Sequence, residues 1–342
     1  MFINKHEIIK RGLNAIPYPL FVRMYPSLKK TKLIDFADDV YYKRFFIESP
    51  LITDTEKYLS QIIKKKRKMV IKKGVWNYQV ANFCFVKDML SVILWCIDCG
   101  YIPLVDIYPS NSSYYNEKKR LWDLFYEQPL KKEIKTEKFN EKECPIQESS
   151  IRARFSDVYD TKKVVFWNKM LSLFVKYNSD TQSYFEDENH LIENKRVVGC
   201  VLRSTDYIKL RPSEHPIQPS LEETFDKLHL VMAEYKIDYV YLATEDYLIA
   251  DAFKKEFPNR VIENKRHYFN DNFEKNALDR ISQVHFEREN DDYLKMLEYI
   301  SSINIVSRCD CLVTGLNGGS EMAIYRNGNQ YKYMYVFDKG VY

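Results

Sequence analysis

Glycine is scarce, at 9 of 342 residues, which excludes collagen-like and glycine-rich low-complexity architectures. The seven cysteines are odd in number and form no disulfide-like framework. A disulfide-stapled secreted scaffold is therefore excluded, and reduced thiols in a cytoplasm are expected. Cys96-Ile97-Asp98-Cys99 has CxxC spacing, but no second pair completes a zinc site, and these thiols read as core, as do Cys309 and Cys311. His190, His229, His267 and His285 show no metal-ligand spacing, so no resident metal or cofactor is expected. No long apolar run is present: the most apolar stretch, Val80–Val105, is broken by Lys87, Asp88 and Asp98 and should not span a membrane. Met1–Leu20 carries charges throughout and shows no signal-peptide core. No fixed-period repeat is visible.

What is present is an ordinary folded composition, 45% apolar and 29% charged, with a net charge of only +4, so no global argument for a polyanion partner follows. The length suits two domains of normal size, expected over 1–190 and 191–342, with the tail 331–342 packing back on the first. Val197–Leu202 and Asp238–Ala243 are short, continuously apolar runs rich in β-branched and aromatic residues, as strands covered on both faces should be. Between them Ser220 stands three residues before Glu223, a capping-box spacing. Leu221, Phe225, Leu228, Val231, Met232 and Tyr235 then recur on one helical face. Leu248–Phe253 reads as a further helix and Arg260–Glu263 as a brief strand. The sum is β-α-β-α-β, half of a doubly wound α/β fold.

In such sheets ligands sit outside the carboxyl ends of the strands. One end carries Arg203-Ser204-Thr205-Asp206 and the next Thr244-Glu245-Asp246. A guanidinium there points to an anionic, phosphate-bearing ligand. Tyr293–Ser307 reads as a long helix, Cys311–Thr314 as a strand, and Glu321–Tyr325 as the opening of another helix. The intervening Gly315–Ser320 loop has the glycines that let backbone amides approach an anion at the positive end of a helix.

The amino-terminal half is less regular. Irregular helices are expected over 1–55. A second βαβ unit follows from Met69–Ile71, a helix over Gln79–Cys99 ended by Gly100, and Tyr101–Ile107. The Gly74–Tyr78 loop lies at a strand's carboxyl end. Lys131–Ile151 reads as an exposed charged connection and Val164–Tyr177 as a helix. Trp122–Pro129 has no assignable role. Lys64–Lys68 with Lys72 and Lys73 forms a basic run, either a solvated face or a contact for anionic lipid or another anionic polymer.

Arg203 through Asp206, His215-Pro216-Ile217 and Tyr241 through Asp246 resemble the donor-binding half of core (α1→6) and nodulation fucosyltransferases. The string from Thr205 to Pro219 resembles uncharacterised bacterial relatives in polysaccharide clusters more closely. The resemblance is strongest over 197–246 and resumes over 300–326. It implies a GT-B fold, two Rossmann-like domains facing a cleft, with a nucleotide-diphosphate sugar donor such as GDP-fucose, inversion and no metal. The implied acceptor is a surface glycan or a lipid-linked glycan. The pattern departs from the family at Val201, Ser204 and Arg211, and near Ser302. On this reading Arg203, Asp206 and Glu214 are the catalytic candidates. Thr205, His215, Thr244, Glu245, Asp246, Asn317, Gly318, Gly319 and Ser320 are expected to bind the donor. Trp76, Asn77, Tyr207, Lys209 and Arg211 are expected on the acceptor side. Two other classes stay open: a non-catalytic nucleotide- or phosphosugar-binding protein, and an anionic-polymer binder using Lys64–Lys73. No aromatic-interleaved motif accompanies that run, so nucleic acid is not an expected partner.

Overall fold

The computed structural model describes residues 5–74, 82–109, 119–130, 139–204, 211, 213–275 and 283–342. The chain divides into two compact units. The first takes Met1–Ser110, Lys118–Ala153 and Leu173–Lys176; the second includes Arg154–Ser172 and Tyr177–Tyr342. The stretch 154–172 and the residues from 177 to 190 thus group with the second unit, whereas the sequence reading had assigned both to the first.

The first unit opens on five helices, α1 (Lys5–Ala15), α2 (Tyr18–Leu28), α3 (Ile34–Glu48), α4 (Pro50–Thr53) and α5 (Thr55–Lys64). They are regular where irregular ones were expected. Their organising group is Asp98, at the end of α6 (Phe83–Asp98). Its carboxylate accepts from the hydroxyls of Tyr18, Tyr41 and Ser49, and Tyr58 donates to its carbonyl at 3.0 Å. One buried acid therefore fixes four of the helices around α6. The aromatic clusters of 1–55 have no clean period because they converge on this point from several helices. Gly100, at φ +80°, ends α6 as expected. Its N–H bonds Ile97 at 2.7 Å and that of Tyr101 bonds Cys96 at 3.0 Å, satisfying the last carbonyls.

The sheet of this unit has the order β2-β1-β3, all parallel, from β1 (Arg67–Ile71), β2 (Ile102–Val105) and β3 (Asn140–Glu143). Pro103 is tolerated because β2 is an edge. The charged segment expected as a connection contains β3, which pairs with the basic run: Lys68 meets Glu141 at 2.8 Å, and Lys72 meets Glu143 at 3.5 Å. Cross-strand charge pairing explains a strand without apolar residues. The Trp122–Pro129 string also acquires a role. Trp122 and Phe125 are fully buried, and Gln128 clamps Val105 through both its backbone groups at 2.9 and 3.0 Å.

In the second unit, α7 (Thr161–Phe174) and α8 (Ser179–Asn189) precede a five-stranded parallel sheet; α7 runs on past Ser172 into residues of the first unit. The strands are β4 (Val197–Val201), β5 (Tyr239–Ala243), β6 (Val261–Ile262), β7 (Cys311–Gly315) and β8 (Tyr333–Phe337). Their order is β6-β5-β4-β7-β8. Helices α9 (Leu221–Glu234), α10 (Tyr247–Glu256), α11 (Asn270–Lys275), α12 (Asp291–Val306) and α13 (Gly318–Asn327) connect them. The capping box exists: Ser220 accepts from the Glu223 N–H at 3.2 Å, and Glu223 accepts from the Ser220 N–H at 2.9 Å. The buried faces of β4, β5 and β7 meet α9 and α10 through Val198, Cys200, Val240, Leu242, Leu228 and Phe253. Each such side chain contributes about 1.5–3 kcal/mol on burial.

The tail, expected to pack back on the amino-terminal domain, instead supplies β8 and then doubles back along 214–217. There Ile217 donates to Gly340 at 3.0 Å, Tyr342 donates to His215 at 3.1 Å, and Pro216 bridges Val341. The alternating Tyr333-Met334-Tyr335-Val336-Phe337 is long enough to pair all five residues with β7. That pairing satisfies a row of backbone groups that packing alone would leave open.

Burial pushes the Asp98 carboxyl up to about 6, against the opposing pull of its three hydroxyl donors. A raised carboxyl favours folding in its protonated state, so this contribution is complete at about pH 4 and lost as pH rises through 6. Relative to Asp98→Asn, the wild-type first unit should lose about 2–3 kcal/mol of stability between those limits. Urea denaturation of both proteins across this range checks it; parallel pH profiles would contradict it.

Candidate functional site

The strand order reverses between β4 and β7. β4 is followed in the chain by β5 on one side, and β7 and β8 lie on the other. At such a switch point the connections leave in opposite directions and open a crevice at the carboxyl ends. The two ends are level, since Val201 is paired with Thr314. The Thr314 hydroxyl donates to the Val201 carbonyl at 2.9 Å. This places Leu202-Arg203-Ser204 beside Leu316-Asn317-Gly318.

Arg203 and Ser204 are held by the loop after β5. The Arg203 Nε lies 3.2 Å from Glu245 Oε1, with the arginine side chain 20% exposed and the glutamate 7%. The same Oε1 accepts from the Ser204 N–H at 3.3 Å. The Ser204 hydroxyl donates to Asp246 Oδ2 in a short hydrogen bond. Asp246 also caps α10, accepting from Leu248 at 2.8 Å and Ile249 at 3.4 Å, and accepts from the side-chain amide of Asn270 at 2.8 Å. Thr244 accepts from the Asp246 N–H at 3.3 Å. Thus Thr244, Glu245 and Asp246, expected as donor ligands, are buried and join the two strand ends. Glu245 is thereby a counter-ion of Arg203.

On the other flank, Asn317 begins α13. Its Oδ1 accepts from Gly319 at 3.0 Å and Ser320 at 3.1 Å, and its own N–H donates to the Ser320 hydroxyl at 2.9 Å. Three of the four amides expected to hold a pyrophosphate, those of Asn317, Gly319 and Ser320, are therefore engaged within the turn. Gly319 is required by packing, because a Cβ there would meet Tyr299 Oη at 2.9 Å and Ile303 Cδ1 at 3.1 Å. Gly318 differs: a Cβ would meet nothing within 4 Å, so its backbone is open to approach. The helix dipole adds partial positive charge at the same spot.

Two participants were not recognised in the sequence. Gln218 spans the β7 end, donating to Leu316 at 2.8 Å and Pro216 at 3.1 Å; its side chain fills the space over Gly315, 2.4 Å from where a Cβ would sit. The signal was an amide between two prolines. Glu321 is fully buried one turn into α13 and accepts from Tyr325 at 3.3 Å. A carboxylate directly after Gly-Gly-Ser marked it.

The remaining candidates divide. Glu214, His215 and Arg211 are exposed, and Arg211 and Glu214 sit at φ +43° and +63°. The Glu214 N–H bonds the carbonyl of Tyr342 at 3.3 Å. Thr205, Asp206, Tyr207 and Lys209, with Trp76 and Asn77, lie outside the described residues. Among the described residues, His285, Asp291 and Asp292 could together face a cation. Arg288 and Lys295 already pair with the two aspartates at 2.7, 3.3 and 3.0 Å, and this compensation disfavours a metal there. No helix among the described residues is long and apolar enough to cross a membrane.

No family model matches the sequence, and no curated protein does. Among solved structures, the chain is similar to NodZ alpha-1,6-fucosyltransferase co-crystallised with GDP (10% identity, covering 80% of this chain and 96% of that one, TM-score 0.43). It is also similar to the NodZ fucosyltransferase from Bradyrhizobium (10%, 76% and 92%, TM-score 0.39) and to POFUT1 in complex with GDP-fucose (12%, 83% and 78%, TM-score 0.35). Likenesses this slight decide neither ligand nor reaction.

Asp246→Ala removes a helix cap and strands the Ser204 hydroxyl and the Asn270 amide in a buried setting. It should cost the second unit about 2–4 kcal/mol, read by chemical denaturation, whereas Asp246→Asn, which keeps the cap, should cost less than half of that. Equal losses would show that the cap is not what matters.

Proposed function

We propose that the protein is a glycosyltransferase that takes a sugar from a nucleotide-diphosphate donor, with the carboxyl-terminal unit as the donor-binding half of a GT-B architecture. The single observation carrying this reading is the meeting of a guanidinium and a helix amino terminus on adjacent strand ends at the switch point of a parallel sheet. Arg203 supplies a full positive charge, and the Gly318 end of α13 supplies an approachable backbone with a dipole behind it. A diphosphate is the anion that fits both. The Glu245 carboxylate beside Nε anchors the side chain at the strand end, and a guanidinium fork matches phosphate oxygens in shape and charge.

During transfer the bond from the anomeric carbon to the leaving oxygen breaks, and negative charge grows on the diphosphate. Arg203 and the α13 terminus stand where that charge develops, the part divalent metals take in other transferases. Inversion requires a base for the acceptor hydroxyl. Glu214, in the stretch after β4, and the buried Glu321, one turn into α13, are the carboxylates we put forward for that part. The resemblance of Arg203–Asp246 to fucosyltransferases supports GDP-fucose as the first donor to try, with a surface-glycan or lipid-linked acceptor. A cytoplasmic setting accords with seven free thiols. A peripheral membrane contact through Lys64–Lys73 has less to support it, since β3 already offsets Lys68 and Lys72.

A binding-only protein is the second reading, favoured by the engagement of Arg203 with Glu245. Sugar-nucleotide hydrolysis separates the two. With the donor that gives the largest thermal shift, the wild type should release nucleoside diphosphate, and Arg203→Ala should lower turnover by about 10²–10³-fold. Arg203→Lys should also be poor, because one ammonium cannot reproduce the fork. Near-normal turnover in either variant would overturn the assignment; a saturable thermal shift without any turnover would favour the second reading.

A further inference from the structure

Cys96 and Cys99 read as inert core thiols in the sequence, and Cys144 carried no assignment. The fold brings Cys144 against Cys96 across 48 residues of chain, Sγ to Sγ at 3.9 Å. The two differ in setting. Cys96 is fully buried in the last turn of α6. Cys144 follows the last residue of β3, is half-buried, and is anchored by its N–H to Val70 at 2.8 Å. Cys144 is itself partly exposed, unlike Cys96, so it is the one of the two that a reagent meets first.

We propose that Cys96 and Cys144 are a reversible dithiol–disulfide pair, closed by exchange with a low-molecular-weight disulfide and reopened by a thiol. The two sulfurs are in van der Waals contact, and a bond requires them to close to about 2.05 Å. Cys144 directly follows an edge strand with exposed side chains, so the approach can come from its side without opening α6. Contact with the Cys96 thiol, the first cause, and with the Ile146 backbone holds the Cys144 thiol below its ordinary range, while burial pushes Cys96 well above it. Cys144, partly exposed where Cys96 is sealed in the core, is the attacking sulfur and Cys96 the resolving one.

The steps balance. The Cys144 thiolate attacks one sulfur of the small disulfide, forming a mixed disulfide and releasing one thiolate. The Cys96 sulfur, giving up its proton, then attacks Cys144 and releases the second. Two protein thiols are oxidised by two electrons, the small disulfide is reduced to two thiols, and the two protons end on those thiols. The bond ties α6 to the end of β3 and closes a loop containing β2 and β3. Because that loop lies in the first unit, the proposal is independent of the donor site.

The test uses the full chain carrying Cys84→Ser, which removes the exposed thiol, treated with oxidised glutathione and then alkylated. Non-reducing peptide mapping should find Cys96 linked to Cys144 in most molecules, with the first unit's melting transition raised by several degrees and restored by dithiothreitol. Adding Cys96→Ser should halt the reaction at a glutathione adduct on Cys144, and adding Cys99→Ser should leave the linkage intact. The proposal is overturned if both thiols stay alkylatable, if the adduct accumulates without closing when Cys96 is present, or if Cys144 links to Cys99 instead.

Discussion

The carboxyl ends of β4 and β5 are bound by two side chains facing two side chains, Arg203 to Glu245 and Ser204 to Asp246. Everything else about the candidate site depends on that union. It sets where the chain leaves β4, and hence where the guanidinium stands relative to the amino terminus of α13. An ion pair this buried adds little net stability over apolar residues of the same size, because both charges lose their water. We take its value to be positional. A guanidinium held by one carboxylate keeps its direction when a ligand arrives, and the helix cap on Asp246 makes that carboxylate's neighbour immovable.

The sheet supplies the rest. Parallel strands need crossover connections, and their loops gather at one end. The reversal between β4 and β7 leaves those loops diverging, so a crevice opens between these two strand ends, roofed in part on its β7 side. Gln218, reaching over Gly315, and the Pro216 bridge to the carboxyl tail form part of the roof. The tail is thus part of the site's construction.

The second unit was largely legible in the sequence because its elements announce themselves locally. β4, β5 and β7 are continuous apolar runs, and the Ser220–Glu223 box marks the start of α9. The roles of the strand-end residues were less legible. Glu245 and Asp246 looked like ligands for a sugar nucleotide, since sequence cannot tell a carboxylate aimed at solvent from one aimed at a neighbouring strand. Asn317 looked like a pyrophosphate contact and proved to be a cap on its own helix. Three strong features came from pairings across long separations. Asp98 gathers hydroxyls from as far back as Tyr18, β3 matches its acids to the basic run, and Cys144 meets Cys96. None has a local signature, because charge and thiol pairs are chosen by the fold. β8 was missed for the same reason: its alternation is clear, but only β7 gives it a partner.

The central claim is that an anion with two phosphates sits between Arg203 and the Gly318 end of α13. A crystal of the protein grown with a nucleoside diphosphate tests it most directly. The account predicts electron density for the two phosphates within hydrogen-bonding distance of the Arg203 guanidinium and the Gly318 amide, with the Arg203–Glu245 pair intact. A diphosphate bound elsewhere, or a site left empty at saturating ligand, would contradict it.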